Sequence, residues 1–248
     1  MSSTSSAPVV LVTGPNGYSG TATVVEFLKQ GYNHRCAAGL RPGHTYWKKD
    51  WNTATWDDAA ASDYGGFVYC ASKVIAERAA WDFLEREKPG FSLTVYNPPM
   101  VFGPPIQPFD SLDRLNEFVD EPWQLLSGKA RVMAFTAFLI FVDVRDLAYL
   151  QVVSLANEAA RDQRYFTISS DYTGDDVVRI AAAAFPAQAA RMTPLSGQPA
   201  PRSTTRITFR TLEQSVVDTT KVLFDAEGAI TKGAWGVKQT KTEHIQFL

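Results

Sequence analysis

Tyr69 and Lys73 stand four residues apart in the stretch VYCASKVIAER at 68–78, a spacing that on a helix puts a phenol and an ammonium side by side on one face. A phenol with a proton to give and a cation that favours its ionised form are the parts of a general acid. The same spacing suits an ordinary amphipathic helix, so the pair by itself leaves both readings open. A second group bears on the choice. Gly14, Gly17 and Gly20 follow the β-branched run VVLV at 9–12 and precede the apolar-patterned segment VVEFL at 24–28. In a strand, Gly-rich turn, helix context, backbone amides can approach a pyrophosphate while the helix N-terminus supplies positive charge. A tight turn without a ligand is the plain alternative. Neither GPNGYSG nor LSGKA has Walker spacing, which favours a dinucleotide over ATP hydrolysis.

Other chemistries find little support. His34, His44 and His244 have no partners at metal-ligand spacing, so no metal is expected. No G-x-S-x-G elbow is present, and the adjacent acids Asp57 and Asp58, or Asp175 and Asp176, read as solvated surface or helix caps. The chain has 248 residues with a net charge of −2 and no basic run, so nucleic acid is not an expected partner. Cys36 and Cys70 fall in strand-like and helix-like segments, which points to a reducing compartment. The segment MSSTSSAP lacks a basic residue and an apolar core, and AFTAFLIFV at 134–142 is too short to span a bilayer. A cytoplasmic protein without a membrane partner is therefore expected.

The elements that must position these residues read as α/β. A strand and helix flank the glycine turn, and 35–38 suits a second short strand. No strand is predicted over 39–66, where Trp47, Trp51 and Trp56 read as loop anchors, with a substrate-wall role as the alternative. The Tyr69 helix should run to about Lys88 and bury Ile75, Ala76, Ala79, Phe83 and Leu84. A strand over 91–97 should stop where Pro98 and Pro99 forbid further pairing. A helix near 112–126 comes next, then a strand turning into a helix capped by Asp143, a strand at RYFTIS, and helices over 175–185 and 212–227.

Four ordered segments carry a resemblance: VTGPNGYSG at 12–20, YCASK at 69–73, NPPMVFGPP at 97–105 and FVDVRDLA at 141–148. Together they resemble the extended short-chain dehydrogenase/reductases, also called the NAD-dependent epimerase/dehydratase family. Within it the chain is similar to fungal NADPH-dependent aldehyde and ketone reductases of the methylglyoxal-reductase and dihydroflavonol-reductase type, helped by PGHTYWKKDW and RTLEQSVVDT. The resemblance implies a Rossmann-like doubly wound sheet and reduction of a small-molecule carbonyl to an alcohol, with NADP preferred over NAD. Gly14, Asn16, Gly17, Tyr18 and Gly20 would hold the diphosphate, and Arg35 and Arg41 are the arginines available for the 2′-phosphate. Tyr69 would protonate the carbonyl oxygen, and Lys73 would bind the nicotinamide ribose and favour the ionised phenol. Asn97, Pro98 and Val101 would belong to a loop beside the nicotinamide and the substrate.

The chain departs from that pattern in length. A doubly wound sheet needs strands two to five between the glycine turn and the tyrosine helix, on the order of 100 residues at about 30 per βαβ unit, and strands three to five find no room here. Tyr69 comes 49 positions after Gly20, since 69 − 20 = 49. The expected fold is thus a shortened Rossmann-like sheet, with a dinucleotide-binding region over 1–103 and the remaining elements with a small substrate-side region over 104–248. The family's substrate-binding Ser or Thr would fall in the absent segment, so weakened activity is expected. A non-catalytic, reductase-like scaffold is the alternative. Strand edges left open by the gap would favour a homo-oligomer.

Overall fold

The computed structural model describes residues 48–106, 109–131, 140–197 and 209–232. The glycine turn, its predicted strand and helix, the 35–38 strand, Trp47, Cys36, Arg35 and Arg41 lie outside them.

A short helix, α1 (Trp56–Ala60), starts on a reciprocal cap in which the Thr55 side chain accepts from the Asp58 amide and Asp58 accepts from the Thr55 amide. The long helix α2 (Gly65–Glu87) carries Tyr69 and Lys73 and ends at Lys88, whose φ of 45° lies just before Pro89. Strand β1 (Thr94–Asn97) stops at Pro98 and Pro99, as the missing donors require. The chain then enters a different sheet as β2 (Met100–Phe102). Helix α3 (Glu117–Leu126), strand β3 (Ile140–Asp143) and helix α4 (Val144–Ser154) follow, then β4 (Gln163–Phe166), β5 (Ser170–Asp171), α5 (Gly174–Ala184) and α6 (Leu212–Thr231). The class is α/β, as the periodicities imply.

Two small sheets result among the described residues. β1 and β4 pair in parallel, with Val95 opposite Arg164 and Asn97 opposite Phe166. β2 and β3 pair in parallel, and β3 meets β5 antiparallel. The β1–β4 pair has a helix on each face. On one face Arg164 reaches Glu77 of α2 at 2.5 Å. On the other the Tyr96 hydroxyl donates to the Leu150 carbonyl of α4 at 2.9 Å. A parallel layer with helices on both sides is the doubly wound arrangement in miniature.

The main core lies elsewhere. Met100, Phe102, Trp123, Leu126, Phe141, Tyr172 and Leu223 pack where β2 and β3 meet α3, α5 and α6. The Phe102 and Tyr172 rings meet edge to face with centroids 4.8 Å apart. The motif FVDVRDLA ties this core to the last helix. Asp143 is fully buried; it caps α4 by accepting from the Arg145 amide, and also accepts from the Arg145 guanidinium and from Ser215 Oγ at 2.6 Å. Arg145 then reaches Asp218 of α6 at 2.7 Å. Burial pushes the Asp143 carboxyl up, but the hydrogen bonds from Arg145 and Ser215 outweigh it and hold the group below its ordinary value. Gly103 passes this network at φ 130°, where an added Cβ would stand 2.7 Å from Val144 Cγ1.

Several expectations are corrected. Helix α2 buries Phe67, Ala71 and Val74, while Ala76, Ala79 and Phe83 are exposed. Among the described residues no layer packs on that second face. The residues expected to form a loop from Asn97 to Val101 instead divide between the end of β1 and the start of β2, because β3 offers the chain a new parallel partner as soon as the prolines have passed. Helix α3 starts at Glu117 rather than near 112, since Asn116 accepts from the Phe118 and Val119 amides and sets its N-terminus there. Of the tryptophans expected to anchor loops, Trp51 does so, with the Arg164 guanidinium 3.9 Å from its ring centroid, whereas Trp56 is exposed.

Candidate active site

Helix α2 does what the i, i+4 spacing demands: Tyr69 and Lys73 share a face, and Lys73 Nζ lies 5.1 Å from the centroid of the Tyr69 ring. Tyr69 is half-buried and Lys73 exposed. The charge does not make the phenol more acidic in this state. Burial, followed by the nearby Cys70 and Glu117, pushes the Tyr69 hydroxyl up to about 12. The group is thus held protonated at neutral pH, as a proton donor must be, but it is a weaker acid than free tyrosine.

Acidic side chains from α3 share this neighbourhood and were not singled out in the sequence. Glu117 and Glu121 are one turn apart, and burial comes first among the causes raising both carboxyls. Glu121 is pushed up to about 7 by burial and then by Glu117, with the Tyr172 hydroxyl pulling the other way. Its Oε2 is buried without a hydrogen-bond partner. The only signal in the sequence is the Glu-x-x-x-Glu spacing, which on most helices marks a solvated face.

The other candidates divide. Asn97 ends β1 with its Nδ2 buried and unpartnered. Pro98 is exposed, and Val101 is a core residue of β2, 6% exposed and paired with Val142, so only its main chain is free of the hydrophobic core. Gly14, Asn16, Gly17, Tyr18, Gly20, Arg35 and Arg41 lie outside the described residues. Among the described residues, no group of three or more His, Cys, Asp or Glu side chains is arranged to hold a metal ion.

The parallel β1–β4 layer fixes the direction of the site. The connection over 88–93 returns the chain from the C-terminus of α2 to the start of β1, and Leu93 and Thr94 are tied to Asp162 and Ala160 at the start of β4. Tyr69, near the N-terminus of α2, therefore lies toward the carboxyl ends of the strands, where open α/β sheets take their ligands.

Comparison with known proteins shows what the chain is similar to. No protein-family model matches the chain. An uncharacterised oxidoreductase of Schizosaccharomyces pombe is 31% identical over 198 residues, covering 76% of this chain and 58% of that protein. The NADPH-dependent methylglyoxal reductase Gre2 of Saccharomyces cerevisiae is 33% identical over 144 residues, 57% of this chain and 42% of that one. The solved structure of Gre2 from Candida albicans in complex with NADPH superposes with a TM-score of 0.58 at 29% identity, over 72% of this chain and 57% of that chain. The chain is similar to reductases of the extended short-chain dehydrogenase/reductase type. The chain spans only part of these relatives: 41% of one Schizosaccharomyces pombe oxidoreductase and 58% of the other.

Proposed function

We propose that the chain is an NADPH-dependent carbonyl reductase that converts an aldehyde or ketone to an alcohol. The observation that carries the reading is the adjacency of the protonated Tyr69 hydroxyl and the Lys73 ammonium on α2, at the carboxyl-end side of a parallel strand pair. When bound, the nicotinamide supplies hydride to the carbonyl carbon. Tyr69 gives its proton to the carbonyl oxygen as negative charge develops there. Lys73, beside the Tyr69 ring on the exposed side of the helix, binds the ribose and stabilises the phenolate left behind. Gly14, Asn16, Gly17, Tyr18 and Gly20 hold the diphosphate, Arg35 or Arg41 takes the 2′-phosphate and makes NADP the preferred cofactor over NAD, and Asn97, Pro98 and the Val101 main chain line the nicotinamide side.

The division into a dinucleotide-binding region, 1–103, and a C-terminal region, 104–248, is one of function rather than packing, because β1 with β4 and β2 with β3 pair across it. The setting we assign is cytoplasmic; among the described residues no helix is long and apolar enough to cross a membrane. Self-association is proposed for the face of α2 that carries exposed Phe83.

The test is NADPH oxidation followed at 340 nm with a simple aldehyde. Tyr69→Phe should lower turnover at least 10²-fold, in the range of a lost general acid, without weakening NADPH binding. An unchanged rate would show that Tyr69 is not the acid. A second reading, a non-catalytic scaffold of reductase descent, draws on the short interval between Gly20 and Tyr69. It requires that the folded chain show no thermal shift with NADPH or NADH.

A further inference from the structure

A buried polar atom with no partner is costly, so each one in a folded chain calls for a reason. Asn97 Nδ2 is such an atom. Its place is informative. Asn97 is the last residue of β1, at the carboxyl end of the parallel pair, and the Thr167 amide bonds its carbonyl at 3.4 Å, so its main chain is held in the ladder.

Side chains alternate across a strand. Val95, Arg164, Asn97 and Phe166 occupy one face of the β1–β4 layer by register, and Arg164 of that set pairs with Glu77 of α2. Asn97 therefore shares the face on which the tyrosine helix packs. From Glu77 to Tyr69 is eight residues, about 12 Å along the helix; from Val95, opposite Arg164, to Asn97 is two residues, about 7 Å along the strand. Both displacements run toward the carboxyl ends. Thr167, whose Oγ1 is also buried without a partner, follows Phe166 in the alternation and falls on the opposite face, away from Tyr69.

We propose that the Asn97 side-chain amide is a second donor to the substrate carbonyl oxygen, facing the Tyr69 hydroxyl and supplying the hydrogen bond for which the shortened chain has no assigned Ser or Thr. This rests on the reductase reading given above. An amide N–H is suited to the task because it donates without titrating, is already desolvated, and sits on a strand end rather than a loop. Its hydrogen bond strengthens as the carbonyl oxygen gains charge during hydride transfer, so the unpaired state before substrate arrives is the stored cost of a preorganised donor.

The experiment uses the full chain loaded with NADP⁺, which cannot reduce a ketone. The Asn97 side-chain amide signals, assigned by their absence in Asn97→Asp, are followed by ¹⁵N NMR as cyclohexanone is added. A downfield shift that saturates is expected; no shift overturns the proposal. Kinetics with NADPH supply the second arm. Asn97→Asp and Asn97→Leu should lower kcat about 10²- to 10³-fold with NADPH affinity unchanged, and Asn97→Ser should recover part of the loss. Because the deleted amide had no partner, Asn97→Leu should melt no lower than the parent. A fall in melting temperature, or a loss of NADPH affinity equal to the loss of kcat, would assign Asn97 to packing or to the cofactor and overturn the proposal. A ketone-dependent shift in a chain without turnover overturns the reductase reading alone.

Discussion

The region built on β2, β3, α3, α5 and α6 and the region built on α2, β1 and β4 are made by the same chain to different standards. In the first, Trp123, Phe141, Met100, Leu126 and Leu223 are all 2% exposed or less, and aromatic rings meet edge to face through the centre. In the second, the buried cluster is Ala54, Phe67, Ala71 and Val74, and every residue of β1 is only half-buried. Polar contacts compensate there: Arg164 bonds Glu77, accepts the Trp51 ring against its guanidinium, and donates to the Lys48 and Asp50 carbonyls. The contrast teaches what holds each region together. A parallel strand is stable when covered on both faces and paired on both edges; β1 has the helices on its faces, but on one edge no strand pairs with it among the described residues. Among the described residues the dense region is held by buried aromatic and aliphatic packing, whereas the thin region, which carries Tyr69 and Lys73, is held largely by polar contacts.

The largest effect should come from Trp123→Ala. Trp123 is 2% exposed and packs on Phe224, so its removal should cost about 3–5 kcal/mol in urea unfolding and should release amide protection throughout β2, β3 and α6. Arg164→Ala comes next, at about 2–3 kcal/mol, since it strands Glu77 in a site where the pair is 13% and 10% exposed. Its loss should appear in hydrogen exchange at 48–54, β1 and β4, with the dense region unchanged; equal loss everywhere would mean the two regions unfold as one and would break the comparison. A further effect concerns pH. Glu121 is raised in the folded chain from 4.5 to about 7, so the folded state holds its proton more tightly than the unfolded one. The stabilisation from that proton is complete below pH 4.5 and is lost as pH rises through about 7. Glu121→Gln should therefore flatten the decline in melting temperature between pH 5 and 8; a variant with the parent's slope would place the titrating group elsewhere.

Much of the fold was legible because its signals are local. The prolines after Asn97 ended β1, Asp143 capped α4, and the 3.6-residue pattern before Pro186 gave the helix observed at α5, since each depends on neighbours in the chain. The burial of α2 was misjudged for the converse reason. Its apolar residues populate more than one face, and which face is covered depends on what other segments bring to it. In the candidate site, the Tyr69 and Lys73 adjacency followed from helix geometry alone. The raised Tyr69 hydroxyl and the Glu117 and Glu121 pair did not, because burial is set by α3, which lies nearly fifty residues further along the chain.

By itself the sequence determined the α/β class, the stop of β1 and the cap of α4, the side-by-side phenol and ammonium, and a resemblance carried by four ordered motifs. Those are consequences of short-range sterics and hydrogen bonding, which a few consecutive residues specify. Only the tertiary structure decided that β1 and β2 belong to separate sheets, that Val101 points its side chain into the core, and that the Asn97 amide is buried without a partner on the face of the tyrosine helix. Each of these depends on which distant segment supplies the next strand or the covering helix, and pairing across long intervals of chain leaves no periodic trace in the residues that take part.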